Sequence, residues 1–273
     1  MPGSPQYGSI GVFDSGIGGL SVANAVCGLL PGESIRYVSD NAHAPYGART
    51  DEEVYGYSRR ITDFLLGAGA KLIVVACNSA TSIAIDRLRE TYPGVPFVGL
   101  EPAVKPAAGG RSIGVMATAV TLRSQRYRDL KQRYLSDRPV WENPCVGLVD
   151  RIEWDGPGSA AVAEYLTELF RGAGALDTVV LGCTHYPLII EDIRAALPAG
   201  VNVIDPSGAA ARQVQRLLEK RALLGSEPEN TVRYDFHCTG GSAPLQRSLL
   251  SLPLLNGRRR WLVPYLGLHG SPT

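Results

Sequence analysis

Along most of the chain, short uninterrupted apolar runs alternate with longer stretches whose apolar positions recur at helical spacing. The runs include SIGVFD at 9–14, IRYVSD at 35–40, KLIVVAC at 71–77 and PFVGL at 96–100, then SIGVMA at 112–117, TVVLGC at 178–183 and NVID at 202–205. Strands that are apolar on both faces are the mark of a parallel sheet covered by helices. The intervening periodicity predicts helices over 18–29, 51–68, 79–91, 121–135, 159–173, 187–197 and 207–224. Alternation of the two element types predicts an α/β protein with mostly parallel central sheets.

Two pairs of runs repeat at nearly one interval. SIGVFDSGIGGLS and SIGVMATAVTLRS begin 103 residues apart, and the two strands that end in a cysteine, VVACNSATS and VVLGCTHYP, are 106 apart. Near-equal offsets suggest a duplicated α/β unit, hence two pseudo-symmetric domains. Ligands in open α/β sheets bind outside the carboxyl ends of the strands. Two such halves facing each other would place the active site in the cleft between them, with Cys77 on one wall and Cys183 on the other.

Bulk composition narrows the function classes. A chain of 273 residues fits about two domains, and 45% hydrophobic with 19% charged residues is ordinary for a soluble globular protein. The net charge of +1 gives no reason to expect nucleic acid or an anionic membrane as partner. The run Arg258-Arg259-Arg260 reads as a solvated stretch rather than a binding patch. The N-terminus lacks a basic head before an apolar stretch, and no apolar segment approaches the roughly 18 residues of a membrane span. Five dispersed cysteines argue against a disulfide scaffold and for a reducing cytoplasmic setting. The missing CxxC weakens zinc-ribbon and thioredoxin-type readings, and no metal site is assigned.

The cysteines that close strands carry the chemistry. A thiolate is both nucleophile and base, and a helix N-terminus or nearby cation favours it. Cys77 precedes Asn78-Ser79 and a helix; Cys183 precedes Thr184-His185 and a helix opened by Pro187. Two bases on opposite faces of a carbon can remove a proton from one side and return one from the other, inverting a stereocentre without a cofactor. The competing reading is packed core, since thiols are among the most buried side chains. Cys27, Cys145 and Cys238 lack the strand-to-helix setting and are read as structural. Asp14, which ends the first strand, reads equally as a helix cap or a functional acid. His185, two residues from a candidate base, is placed to orient or protonate it. The GIGGL run at 16–20 has neither GxGxxG spacing nor a phosphate-loop lysine, so a nucleotide site is not indicated.

Four blocks, IGVFDSGIGGLSV at 10–22, YVSDNAHAPYGART at 37–50, VVACNSATS at 74–82 and VLGCTHYPLI at 180–189, resemble the cofactor-independent glutamate racemases of the aspartate/glutamate racemase superfamily. The resemblance runs over almost the whole chain. It implies catalytic bases at Cys77 and Cys183, assisted by Asp14 and His185. It implies glutamate contacts at Asp14, Ser15, Pro45, Tyr46, Gly47, Asn78, Ser79, Thr118, Thr121, Thr184 and His185. It further implies no cofactor, a cytoplasmic homodimer, and D-glutamate supplied to peptidoglycan synthesis. The implied domains are 1–100 plus 208–273, and 101–207. Departures are Ser79 for a usual threonine, Ala117 for a usual glycine, and Asp150 for a usual glutamate with Glu153 nearby; neither acid is given a role.

Other readings remain at this level. An aspartate racemase would share the architecture, although His185 and the Pro45-Tyr46-Gly47 turn favour glutamate. An amino-acid-binding or sensor protein could use the same cleft without turnover, but binding does not require paired cysteines. A pyridoxal racemase needs a Schiff-base lysine, and none of Lys71, Lys105, Lys131 and Lys220 stands in a persuasive context. A redox dithiol needs its sulfurs within bonding reach, which a substrate carbon between them would prevent.

Overall fold

The computed structural model describes residues 8–225, 231–252 and Leu255. The extreme N-terminus and the Arg258–Arg260 run lie outside the described residues. Among the described residues the strands are β1 (Ser9–Asp14), β2 (Ile35–Ser39), β3 (Ala70–Val75), β4 (Phe97–Gly99), β5 (Ile113–Ala117), β6 (Val140–Asn143), β7 (Thr178–Gly182), β8 (Asn202–Ile204) and β9 (Tyr234–Cys238). They form two sheets, ordered β4-β3-β1-β2-β9 and β6-β5-β7-β8. Every pairing is parallel. The chain divides into two compact units, the described parts of Met1–Leu100 with Ser207–Thr273, and Glu101–Pro206.

The two sheets share a strand order. Read from the other edge, the second sheet runs β8-β7-β5-β6, matching β4-β3-β1-β2 strand for strand. β1 therefore corresponds to β5 and β3 to β7, and β9 is an addition to the first sheet. Parallel neighbours need crossover connections, usually helical. In the first unit these are α1 (Leu20–Leu29), α2 (Asp51–Gly67) and α3 (Asn78–Thr91), with α10 (Ser207–Lys220) returning from the second sheet to pack beside α1. In the second they are α5 (Ala119–Arg123), α6 (Gln125–Leu135), α7 (Leu148–Trp154), α8 (Ala160–Arg171) and α9 (Ile190–Ala196). The short α4 (Val104–Ala107) follows β4, and α11 (Ala243–Leu250) follows β9. No helix among the described residues is long and apolar enough to cross a membrane.

The central strands β1, β3, β5 and β7 are buried because their side chains are apolar on both faces. Phe13, Ile73 and Val75 meet Ile61 and Leu65 of α2 and Ala84 and Leu88 of α3. In the second unit Val115 and Val180 pack with Val104, Tyr127 and Leu135. α2 begins on a reciprocal cap, Thr50 accepting from Glu53 N–H while the Glu53 carboxylate receives the Thr50 N–H. Lys71, at the end of β3 away from Cys77, is bound to Glu33 at 2.6 Å with both side chains buried.

Two helical predictions change. The stretch 121–135 is two helices, α5 and α6, because Ser124 is extended and its Oγ caps Tyr127 N–H at 3.2 Å. The stretch 187–197 opens as a 3₁₀ turn, Tyr186–Ile189, before α9. β6 and β9, with α4, α7 and α11, went unpredicted.

One glycine sets the position of the second cysteine. A Cβ on Gly182 would stand 2.7 Å from Ala117 Cβ and 3.0 Å from the Met116 carbonyl oxygen. Ala117 thus fits because its partner across the ladder, Gly182, has no side chain. Gly182→Ala should cost about 1–3 kcal/mol by overpacking and displace Cys183, lowering both the melting temperature and turnover. Gly172→Ala, where nothing lies within 4 Å, should alter neither.

Candidate active site

The residues singled out from sequence gather at the carboxyl ends of the strands of their own unit. In the first unit Asp14 ends β1 and is fully buried. Its Oδ1 accepts the Gly16 N–H at 2.7 Å, and its backbone carbonyl accepts from Asp40 at 2.9 Å. The neighbouring glycines serve close packing. A Cβ on Gly19 would sit 2.7 Å from Asp14 Cβ, and the Tyr37 hydroxyl already donates to Gly16 O at 2.7 Å. Asp14 is therefore fixed by its own loop and by α1 above it.

Cys77 follows β3 and caps α3 from an extended conformation, its Sγ accepting from Ala80 N–H at 3.5 Å. Its thiol reaches Ser15 Oγ at 3.7 Å. Sulfur at a helix N-terminus sits where the backbone dipoles favour negative charge. Asn78 donates Nδ2–H to Leu100 O at 3.2 Å, while its Oδ1 is buried with no hydrogen-bond partner among the described residues. Ser79 is buried beside it. Pro45 is half of a cis peptide with Ala44 and opens the 3₁₀ turn Tyr46–Ala48. Tyr46 is buried and Gly47 exposed. Burial, reinforced by the adjacent Asp40 carboxylate and then by Cys77 and Asp14, holds the Tyr46 phenol well above its usual range.

In the second unit Thr118 follows β5 and caps α5, its Oγ1 accepting from Thr121 N–H at 3.3 Å and lying 3.0 Å from Thr121 Oγ1. Cys183 follows β7, and Thr184 and His185 are buried with it. The expectation of a helix N-terminus at both sulfurs holds for Cys77 alone. Cys183 leads into the 3₁₀ turn, for which His185 is the flanking residue, and the first α-helical residue there is Ile190. Imidazole takes the place of the helix end. His185 Nδ1 lies 3.8 Å from Cys183 Sγ, and its Nε2 lies 2.7 Å from Glu153 Oε1. Burial works against charge on this ring, yet the bonds to Cys183 and Glu153 outweigh it and hold the His185 pKa well above its usual value.

Glu153, the partner of His185, is the residue that sequence reading left without a role. Its side chain is 11% exposed on α7, whereas Asp150, one turn earlier, is exposed. The signal available was an acid on a short helix after an unrecognised strand, which is too weak to select one of two carboxylates. Tyr186 and Cys145 are buried near Cys183. The Cys145 thiol is pushed up to about 12 by burial, and Tyr186 is raised by burial and then by Cys145 and Cys183. Cys27 lies 2.9 Å from Tyr234 Oη, and Cys238 bonds Gly240 O at 3.2 Å. Contrary to the sequence reading, Cys145, between β6 and α7, and Cys238, at the end of β9 before α11, also stand at strand-to-helix connections. Their sulfurs, like that of Cys27, bond local partners.

The profile of the Asp/Glu/hydantoin racemase family matches residues 21–214. A glutamate racemase of Pseudomonas aeruginosa is 48% identical over 236 residues, covering 84% of this chain and 88% of that protein. Among solved structures, a glutamate racemase isoform from Bacillus anthracis superposes with a TM-score of 0.81 at 28% identity, covering 96% of this chain and 98% of the other. A glutamate racemase from Francisella tularensis, solved with D-glutamate, gives 0.79 at 28% identity over 96% and 99% of the two chains.

Proposed function

From the premise that the chain belongs to the Asp/Glu/hydantoin racemase family, and is an amino-acid racemase, we propose that it interconverts L- and D-glutamate by proton transfer between two cysteines and Cα. The observation that carries this is positional. Cys77 and Cys183 follow β3 and β7, which occupy the same place in the strand order of the two sheets, and each has a polar partner at its sulfur. A duplicated sheet that keeps a thiol at equivalent strand ends supplies two bases of one kind, as inversion requires. Cys183 serves the L form and Cys77 the D form.

In each turnover one sulfur takes the α-proton and the other returns a proton to the opposite face, so no external acid is consumed. His185, whose raised pKa favours the protonated ring, lies with Nδ1 toward Cys183. In that form it would donate to Cys183 and steady negative charge there, while Glu153 orients the ring. Asp14 and Ser15 attend Cys77. The free amino acid needs donors for two carboxylates and acceptors for its ammonium. Ser15, Ser79, Thr184 and the backbone N–H groups beyond each cysteine suit the former. Asn78 Oδ1 and Asp14 suit the latter, and the Pro45-Tyr46-Gly47 turn with Thr118 and Thr121 completes the contacts. The D-glutamate formed would feed peptidoglycan synthesis in the cytoplasm, with the enzyme acting as a homodimer.

The test is circular dichroism of L-glutamate incubated in deuterium oxide with the purified protein and no added cofactor. Optical activity should decay to zero, and deuterium should enter the newly formed D enantiomer while unreacted L stays largely protiated early on. Aspartate and alanine should react far more slowly. Equal rates with aspartate would remove the glutamate assignment and leave the proton-transfer scheme standing.

A further inference from the structure

The block 37–50 holds more polar structure than a substrate-facing turn uses. Asp40, the residue after β2, is 1% exposed. Three side chains bond to its carboxylate. The Thr239 hydroxyl donates to Oδ1 at 2.7 Å, His43 Nδ1 lies 2.8 Å from the same oxygen, and the Tyr46 hydroxyl donates to Oδ2 at 2.6 Å. The Asp40 carbonyl also accepts the His43 N–H at 3.0 Å. A carboxylate taken out of water is heavily penalised unless donors surround it. Here they come from the turn, from its flank and from the residue after β9.

The turn has few other hydrogen-bonded anchors. Ala48 N bonds Pro45 O and Arg49 N bonds Tyr46 O, both internal to the loop. Arg49 Nε donates to His43 O at 3.0 Å, from the same loop. Among the described residues, every hydrogen bond tying residues 43–46 to the preceding strand ends on Asp40. On the far side Thr239 Oγ1 also accepts Ala42 N–H at 3.2 Å, and Asn41 exchanges two bonds with Gly240 and Gly241. The His43 ring is stacked on Tyr57 with centroids 4.0 Å apart, which limits its choice of partner. Tyr46 keeps its proton because burial and the carboxylate both oppose ionisation, so its donation to Asp40 persists across the working pH range.

We infer that Asp40 is a positioning residue for the racemisation: its carboxylate sets the Pro45–Gly47 turn through Tyr46 and ties that turn to Thr239 at the end of β9. This rests on the reading that the turn contacts glutamate. Beyond the packing of the Tyr46 ring in the core, the polar tie of the turn is then one charged acceptor, so loosening it should weaken substrate binding more than it slows proton transfer at the sulfurs.

The experiment is steady-state kinetics of Asp40→Asn in both directions with melting curves alongside. The amide keeps the volume but turns one acceptor into a donor facing donors. Hydrogen bonds to charged groups are the stronger class, so KM should rise about tenfold or more with kcat within about threefold of wild type. Combined with Tyr46→Phe, the two KM effects should be markedly less than additive, since both cut one link. Thr239→Val, which removes the neutral donor alone, should raise KM about threefold at unchanged kcat, and it decides the matter if Asp40→Asn does not fold. Parallel losses of kcat and melting temperature with KM unmoved, or additive effects in the cycle, would overturn the inference. A wild-type protein inactive on glutamate would instead sink the functional reading, whereas an active wild type with an unaltered Asp40→Asn KM sinks only this one.

Discussion

Cys77→Ser and Cys183→Ser should each lose about 10³-fold or more of racemase turnover, about 4 kcal/mol in barrier. Serine is close in size, and both cysteines are about 5% exposed in packed settings, so the fold should survive the exchange. Chemistry decides the loss. A hydroxyl is a far weaker base and acid at neutral pH than a thiol, and inversion needs both groups in every turnover. The loss must be equal in both directions, because enantiomers have equal free energy in water and kcat/KM is thereby equal for L and D. Exchange of the α-hydrogen with solvent separates the sulfurs. A Cys77→Ser protein that keeps Cys183 should still wash deuterium into L-glutamate without inverting it, and Cys183→Ser should do so with D-glutamate. Near-normal racemisation by either variant would refute the two-base scheme. Exchange of both enantiomers by one variant would show that the remaining sulfur reaches both faces.

How much of this is legible in the sequence depends on how local its cause is. β1, β3, β5 and β7 announce themselves because each is apolar on both faces, and the near-constant offset between them exposed the duplication. β6 did not, since VWEN carries two apolar residues and pairs on one side only, at the edge of its sheet. β9 alternates, YDFHC, and is the added edge strand with no counterpart to predict it from. The split at Ser124 follows from a side-chain cap that competes with helix continuation, which apolar spacing does not register. At the site, Cys77 and Cys183 were readable as thiols at strand ends. The groups that surround them were not. Glu153 meets His185 across 32 residues and Thr239 meets Asp40 across 199, and such pairings arise only once the sheet has assembled. Cys183 shows the same limit. Its following residues look like a helix start, yet the helix begins late and a histidine–glutamate pair stands where the dipole was expected.

That pair supports the second large effect. Glu153→Gln keeps an acceptor for His185 Nε2–H but removes the negative charge, and His185→Asn removes the ring. Turnover should fall about 10–10²-fold in the first and further in the second, within the span that one acid–base group supplies. Because kcat/KM stays equal in the two directions, the asymmetry must appear elsewhere. If His185 serves Cys183, and Cys183 handles the L form, then abstraction from L becomes the slower step. The primary isotope effect with α-deuterated L-glutamate should grow, while that with α-deuterated D-glutamate should shrink. pH supplies an independent reading. His185 is more readily protonated in the folded protein than in the unfolded chain, so its contribution to stability is complete below an unfolded pKa of about 6.5 and is lost as pH rises through the higher folded value. Wild-type melting temperature should therefore decline on the alkaline side, and His185→Asn should flatten that decline. Glu153→Gln removes one of the two interactions that raise the pKa, so the alkaline limb of its activity profile should move to lower pH. An unshifted limb with unchanged isotope effects would mean that Glu153 and His185 brace the loop without taking part in proton transfer.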